Sequence, residues 1–179
     1  MAKAVHDAGL SIPEAGKIVQ VNRRNGLIYE RVDGLSMWDI YTQLPLRFIR
    51  YARQTAELHA GMHAANILPD IPSQRRRLAQ KTGGADSLPA PLKTAILEAL
   101  SIMPDCDRLC QGDFHPGNIL LSPRAVVIDW IDAWRENPLA DVARTSINTL
   151  GAAASSQIPN RAINTFIRLS HAVYLRRYF

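Results

Sequence analysis

The chain has 179 residues, 47% of them hydrophobic, enough to bury one core or to build one large and one small lobe. A formal net charge of +5 is modest, and the basic residues fall in short clusters (Arg23-Arg24, Arg75-Arg76-Arg77, Arg176-Arg177) that read as solvated faces, so nucleic-acid binding is set aside. Two cysteines, Cys106 and Cys110, exclude a disulfide framework and a structural zinc site; the absence of an apolar run near 20 residues or a signal-peptide core predicts a cytoplasmic protein with no membrane partner.

In chain order, residues 1–9 read as the end of a helix, stopped at Gly9 with Pro13 shortly after. Two β-like runs follow, Lys17 to Val21 and Leu27 to Val32, with Arg23-Arg24-Asn25-Gly26 between them; Asn-Gly adopts positive φ readily, so the pair predicts a hairpin. Asp33-Gly34 breaks the second run, and Ser36 with Asp39 three residues later has the form of a capping box. From Pro45 to about His63, Leu46, Ile49, Ala52, Ala56, His59 and Met62 recur near helical spacing. A Pro-punctuated loop covers 66–73, and helices are expected from about Gln74 to just before Gly83-Gly84 and from about Pro91 to Ile102. Leu109-Cys110 then leads into a loop, Asn118 to Leu121 forms a short strand, Ser122-Pro123-Arg124 turns, and Ala125 to Trp130 returns. Helices from Pro138 to Leu150 and from Pro159 onward complete an α+β chain.

Carboxylates set among apolar strands need a reason, because burying one unpaired is costly. Asp113 and Asn118 are separated by four residues, with Pro116-Gly117 turning the chain between them. Asn118 opens one strand and Asp129 ends its partner, so a short turn brings the two together. An amide oxygen and a carboxylate then face a common point beside a second carboxylate. Hard oxygens with few protein carboxylates suit Mg²⁺ bound to a nucleotide. Asp113 would orient an acceptor hydroxyl; a carboxylate is a weak base toward an alcohol, so positioning is its main service. Histidines are poor partners for Mg²⁺. His59 therefore reads as a hydrogen-bonded core residue and His115 as a brace of the loop. Asp141, near a helix start, suits the local dipole.

Gly112-Asp113-Phe114-His115-Pro116-Gly117-Asn118 followed by Ile128-Asp129-Trp130 resembles the aminoglycoside phosphotransferase and choline kinase family. Asn137-Pro138-Leu139-Ala140-Asp141 and Ala56-Glu57-Leu58-His59 resemble two further segments of that family. The likeness runs from about Gly9 to Leu150. It implies a protein-kinase-like fold: residues 1–34 as a remnant of the N-terminal lobe ending in the hinge, and 35–179 as the helical C-terminal lobe. It also implies Asp113 as the catalytic residue, Asn118 and Asp129 as Mg²⁺ ligands, and ATP or another nucleoside triphosphate as co-substrate. The backbone of Glu30 and Val32 would bind adenine, with Tyr29 behind it and Leu120 and Ile128 as an apolar floor; the residues by themselves fit an ordinary half-buried strand equally well. Asp141 would support the active-site loops.

The chain departs from the pattern in three ways. It shows no glycine-rich phosphate loop and no strand lysine to pair with phosphates, so most of the small lobe is expected to be missing. Exposed surface where that lobe would sit favours self-association. Gln111 stands where the family has histidine; it can still hydrogen-bond, so altered loop geometry with intact chemistry is expected. Between Val142 and Phe179 there is no Asp or Glu, while Arg144, Arg161, Arg168, Arg176 and Arg177 are present. That predicts a neutral or anionic small-molecule hydroxyl acceptor and argues against a polycation. The alternative of another class is a non-catalytic binding or assembly module built on a kinase lobe.

Overall fold

The computed structural model describes residues 5–6, 9–44, 47–65, 71–104, 106–154 and 161–179. Strands β1 (Ala15–Val21) and β2 (Arg24–Tyr29) form an antiparallel hairpin. A short strand, β3 (Leu35–Ser36), leads into α1 (Met37–Gln43). Helices α2 (Phe48–Ala64), α3 (Gln74–Gly83) and α4 (Ala90–Ile102) follow. Next come β4 (Arg108–Cys110), a 3₁₀ turn at Pro116–Asn118, β5 (Ile119–Ser122), β6 (Arg124–Val127) and β7 (Trp134–Glu136). Helices α5 (Pro138–Ala154) and α6 (Arg161–Tyr178) close the described chain. Besides the hairpin there are two small antiparallel sheets, β3-β5-β6 and β4-β7. No helix among the described residues is long and apolar enough to cross a membrane.

The hairpin forms where expected, but its turn does not fall on Asn25-Gly26. Asn22 and Arg23 hold positive φ (50° and 62°), and Val21 pairs with Arg24. This register sets Ile18 opposite Leu27 and Gln20 opposite Asn25. A turn at Asn25-Gly26 would place Asn22 against Tyr29 and Val21 against Glu30, so like-with-like cross-strand pairing outweighs the Asn-Gly preference. The second strand stops at Tyr29, short of Val32, although the Glu30 N–H still donates to Glu14 O at 2.9 Å. Ile18, Val21, Leu27, Ile28 and Tyr29 remain exposed on the hairpin.

The capping box at the head of α1 is complete: Ser36 Oγ accepts from Asp39 N and the Asp39 carboxylate accepts from Ser36 N. The long helix α2 buries Ala52, Ala56, His59 and Met62 as its periodicity predicts, but Tyr51 and Thr55 complete the face, and Ile49 is exposed. Its expected start at Pro45, most of the 66–73 loop, the Pro159 start of the last helix and most of the helix at 1–9 lie outside the described residues. The return strand β6 ends at Val127, earlier than Trp130, because the chain kinks at Asp129. The core joins Met37 and Ile40 of α1, Tyr51 and Met62 of α2, and Leu109, Phe114, Ile119, Val127 and Trp130 around the loop between β4 and β5 and the β5–β6 hairpin.

Candidate active site

The loop between β4 and β5 carries Asp113, whose backbone N–H and carbonyl both have side-chain partners. Gln111, fully buried, accepts from Asp113 N through Oε1 (2.7 Å). Its Nε2 donates to the carbonyls of Ile128 (3.1 Å) and Asp129 (2.5 Å). One amide thus ties the Asp113 loop to the end of the β5–β6 hairpin. Gly112 has φ +85°, and a Cβ there would overlap the carbonyl of Asp132, so glycine is required.

Asn118 follows the 3₁₀ turn. Its Nδ2 donates to Asp113 O (3.0 Å), which leaves Oδ1 as the free end of the amide. The Ile128 N–H donates to Asn118 O (2.9 Å), so the hairpin continues one pair beyond β5 and β6 and delivers Asp129 next to Asn118. Asp129 has φ 58°, a left-handed conformation that Asp tolerates better than most residues and that recurs at functional sites. Its side chain is exposed and makes no hydrogen bond or ion pair among the described residues. Asp113, Asn118 and Asp129 are therefore brought to one end of the hairpin.

The Asp113 carboxylate is about one-third exposed. Its Oδ1 accepts from Asn148 Nδ2 at 2.7 Å, and His115 Nε2 stands 3.6 Å from its Oδ2. His115 Nδ1 accepts from Gly117 N (3.0 Å), which is the bracing role expected of it. Asn148 was not singled out from the sequence. A signal existed: Asp141, Thr145 and Asn148 are spaced i, i+4, i+7 and share one face of α5. Asp141 accepts from the N–H groups of Gln111 (2.8 Å) and Gly112 (3.0 Å), Thr145 donates to Phe114 O (2.7 Å), and Asn148 reaches Asp113.

Behind the loop, Asp141 Oδ2 lies 3.1 Å from His59 Nε2 and 3.4 Å from His63 Nε2. Nδ1 of each histidine accepts from a phenol of α6, Tyr174 for His59 and Tyr178 for His63, both at 2.7 Å. The carboxylate accepts, so each imidazole carries its proton on Nε2. Burial lowers His59 to about 4 despite its bond to Asp141. Burial opposes ionisation of Asp141, yet hydrogen bonds from His59 and His63 outweigh it and hold the carboxyl well below its usual range. The triad could in principle hold a metal, but every ring nitrogen already has a partner. It is a structural network, as His59 was read from its apolar helix face.

The expected nucleotide residues lie on two flanks. Tyr29 ends β2, with Glu30 and Val32 just beyond it; Leu120, half-buried, pairs with Ser36 of β3; Ile128, also half-buried, follows β6. The segment joining them passes so close to β5 that a Cβ on Gly34 would stand 2.5 Å from Leu121 O. This close approach sets the segment after Val32 against the strand that carries Leu120.

Comparison with family sequence profiles matches the phosphotransferase enzyme family over residues 1–177. The chain belongs to that family. Solved structures of similar phosphotransferases show the same kinase-like fold. One is an aminoglycoside-3'-phosphotransferase of type VIII, 21% identical, with a TM-score of 0.67 over 97% of this chain and 68% of that one. A thermostable mutant of aminoglycoside phosphotransferase APH(4)-Ia is 19% identical with a TM-score of 0.62, over 96% of this chain and 63% of its own. A choline/ethanolamine kinase family protein from Mesorhizobium loti is 18% identical with a TM-score of 0.60, over 99% of this chain and 58% of its own. This phosphotransferase-family chain thus spans about three-fifths to two-thirds of their lengths. Comparison with curated proteins returns no match.

Proposed function

We propose that the chain transfers the γ-phosphoryl group of ATP to a hydroxyl of a small molecule, with Asp113 as the catalytic carboxylate. The observation that carries this reading is the convergence of Asp113, Asn118 and Asp129 at one end of the β5–β6 hairpin, locked by Gln111. The donor set fits Mg²⁺: Asn118 Oδ1 and the Asp129 carboxylate are hard oxygens, one neutral and one charged, beside a polyanionic nucleotide. Bound there, Mg²⁺ would neutralise charge on the phosphates. Asp113 accepts a hydrogen bond from the acceptor hydroxyl, orients its oxygen toward the γ-phosphorus and takes up its proton. The bond from that phosphorus to the β,γ-bridging oxygen breaks, and ADP leaves. Backbone groups of Glu30 and Val32, with Tyr29 behind and Leu120 and Ile128 beneath, would receive the base. Among similar solved structures, amicoumacin kinase hAmiN is in complex with AMP-PNP and Ca²⁺, which supports a nucleotide and a divalent cation in this fold.

The exposed apolar side chains of the β1–β2 hairpin favour a second reading, in which the lobe serves as an assembly module and self-associates. A thermal-shift titration with ATP separates the two. The phosphotransferase is stabilised by ATP only with Mg²⁺, and Asp129→Ala abolishes the effect. A chain indifferent to nucleotide under both conditions sinks the catalytic reading.

A further inference from the structure

Among the described residues, the strands of the β1–β2 hairpin pair only with each other, and every residue of β2 is exposed. A solitary two-stranded hairpin is marginal in water; a further strand or a packed face is normally needed to hold it. Ile18, Leu27 and Tyr29 share one face, since Ile18 stands opposite Leu27 and Tyr29 lies two residues further along β2. All three are exposed.

The backbone shows which edge is open. Glu30 N–H donates to Glu14 O at 2.9 Å, so Arg24, Gly26 and Ile28, which alternate with it, turn their N–H and C=O groups toward β1 as well. Asn25, Leu27 and Tyr29 turn theirs outward, where no strand pairs with them among the described residues. The outer edge of β1 is less suited to pairing, because a register shift between Ala15 and Ile18 interrupts it. Charge is divided along β2. Arg24, beside the turn, has no ion pair among the described residues. Glu30, just past the other end, accepts a long bond of 3.3 Å from Glu14 N and has no ion pair among them either.

These features select a partner. When a second copy lies antiparallel along β2 with the two-fold axis at Leu27, each outward-facing residue meets another. Leu27 meets Leu27 of the other copy, and Asn25 meets its Tyr29, in both directions. The same register sets Arg24 beside Glu30 of the other copy twice, on the face away from Leu27. Moving the axis to Gly26 or Ile28 loses both charge pairs. Such a contact is self-complementary and closed, so it stops at two copies.

We propose that the chain dimerises by joining the β2 edges of two copies into a four-stranded antiparallel sheet, registered by Leu27 and two Arg24–Glu30 pairs. This rests on the assembly reading for self-association, to which it adds the edge, the register and the copy number. An edge contact of this length is small, so the dimer is weak and dissociates on dilution. Sedimentation of the full chain without nucleotide, up to about 100 µM, measures it. Arg24→Glu and Glu30→Arg each weaken the dimer about tenfold, because like charges then face each other. The double variant restores it, and an equal mixture of the two single variants forms heterodimers. Leu27→Pro abolishes the dimer while circular dichroism shows the fold retained, since it removes an N–H that β1 does not use. A dimer of unchanged affinity in the folded single variants, or one that the double reversal fails to restore, overturns the β2 edge and leaves the assembly reading standing. A chain that stays monomeric throughout that range overturns both.

Discussion

Gln111 is the residue on which the site's geometry turns. It serves the Asp113 N–H on one side and the carbonyls of Ile128 and Asp129 on the other, all from a fully buried position. Gln111→Met keeps the volume and leaves these groups unpaired, so unfolding in urea should show a loss of about 3 kcal/mol, the scale of a few orphaned buried groups. A loss below about 1 kcal/mol would mean that water or a neighbour replaces the amide. The sequence made Asp113, Asn118 and Asp129 readable because their relation is local: a fixed spacing, then a hairpin. Gln111 was also readable as a hydrogen-bonding replacement for histidine. Asn148 was not singled out, because it reaches the loop from a helix 35 residues beyond Asp113. Such long-range contacts leave no local pattern in the sequence.

At the scale of elements, α5 acts as a ruler laid along the Asp113 loop. Asp141, Thr145 and Asn148 each engage a successive part of the 111–114 backbone or the Asp113 side chain. Asn148→Ala frees Asp113 to rotate. Turnover should fall about 10- to 100-fold, as expected for misplacing a reacting group by about an ångström, with nucleotide affinity unchanged. Steady-state rates together with direct nucleotide titration check it; an equal loss in nucleotide affinity would show instead that the whole loop had moved. Helix positions were largely legible, since apolar spacing and the Ser36/Asp39 box are strong local signals. Strands β3 and β7 escaped notice because two or three residues cannot display an alternation. The hairpin turn was misplaced because its register is decided by which side chains meet across it.

For the molecule as a whole, the buried His59–Asp141 network sets a pH window. Burial lowers His59 from 6.5 to about 4, so between these values the unfolded chain binds a proton that the folded chain refuses. Stability is therefore full above about 6.5 and declines as pH falls toward 4, by about 3 kcal/mol in the linkage limit. Asp141, held below its ordinary 3.8, adds a further loss only once pH drops under that value. Thermal midpoints from pH 7.5 to 4.5 should fall accordingly, and His59→Gln should flatten the slope; an equally steep decline in that variant would assign it to other groups.

Tyr174 has two faces in this architecture. It lines a cavity of about 420 Å³ between α1, α2, α5 and α6, and its hydroxyl holds His59, which in turn grips Asp141 and the start of the Asp113 loop. The joint between the last helix and the Asp113 loop therefore runs through a phenol at the cavity wall.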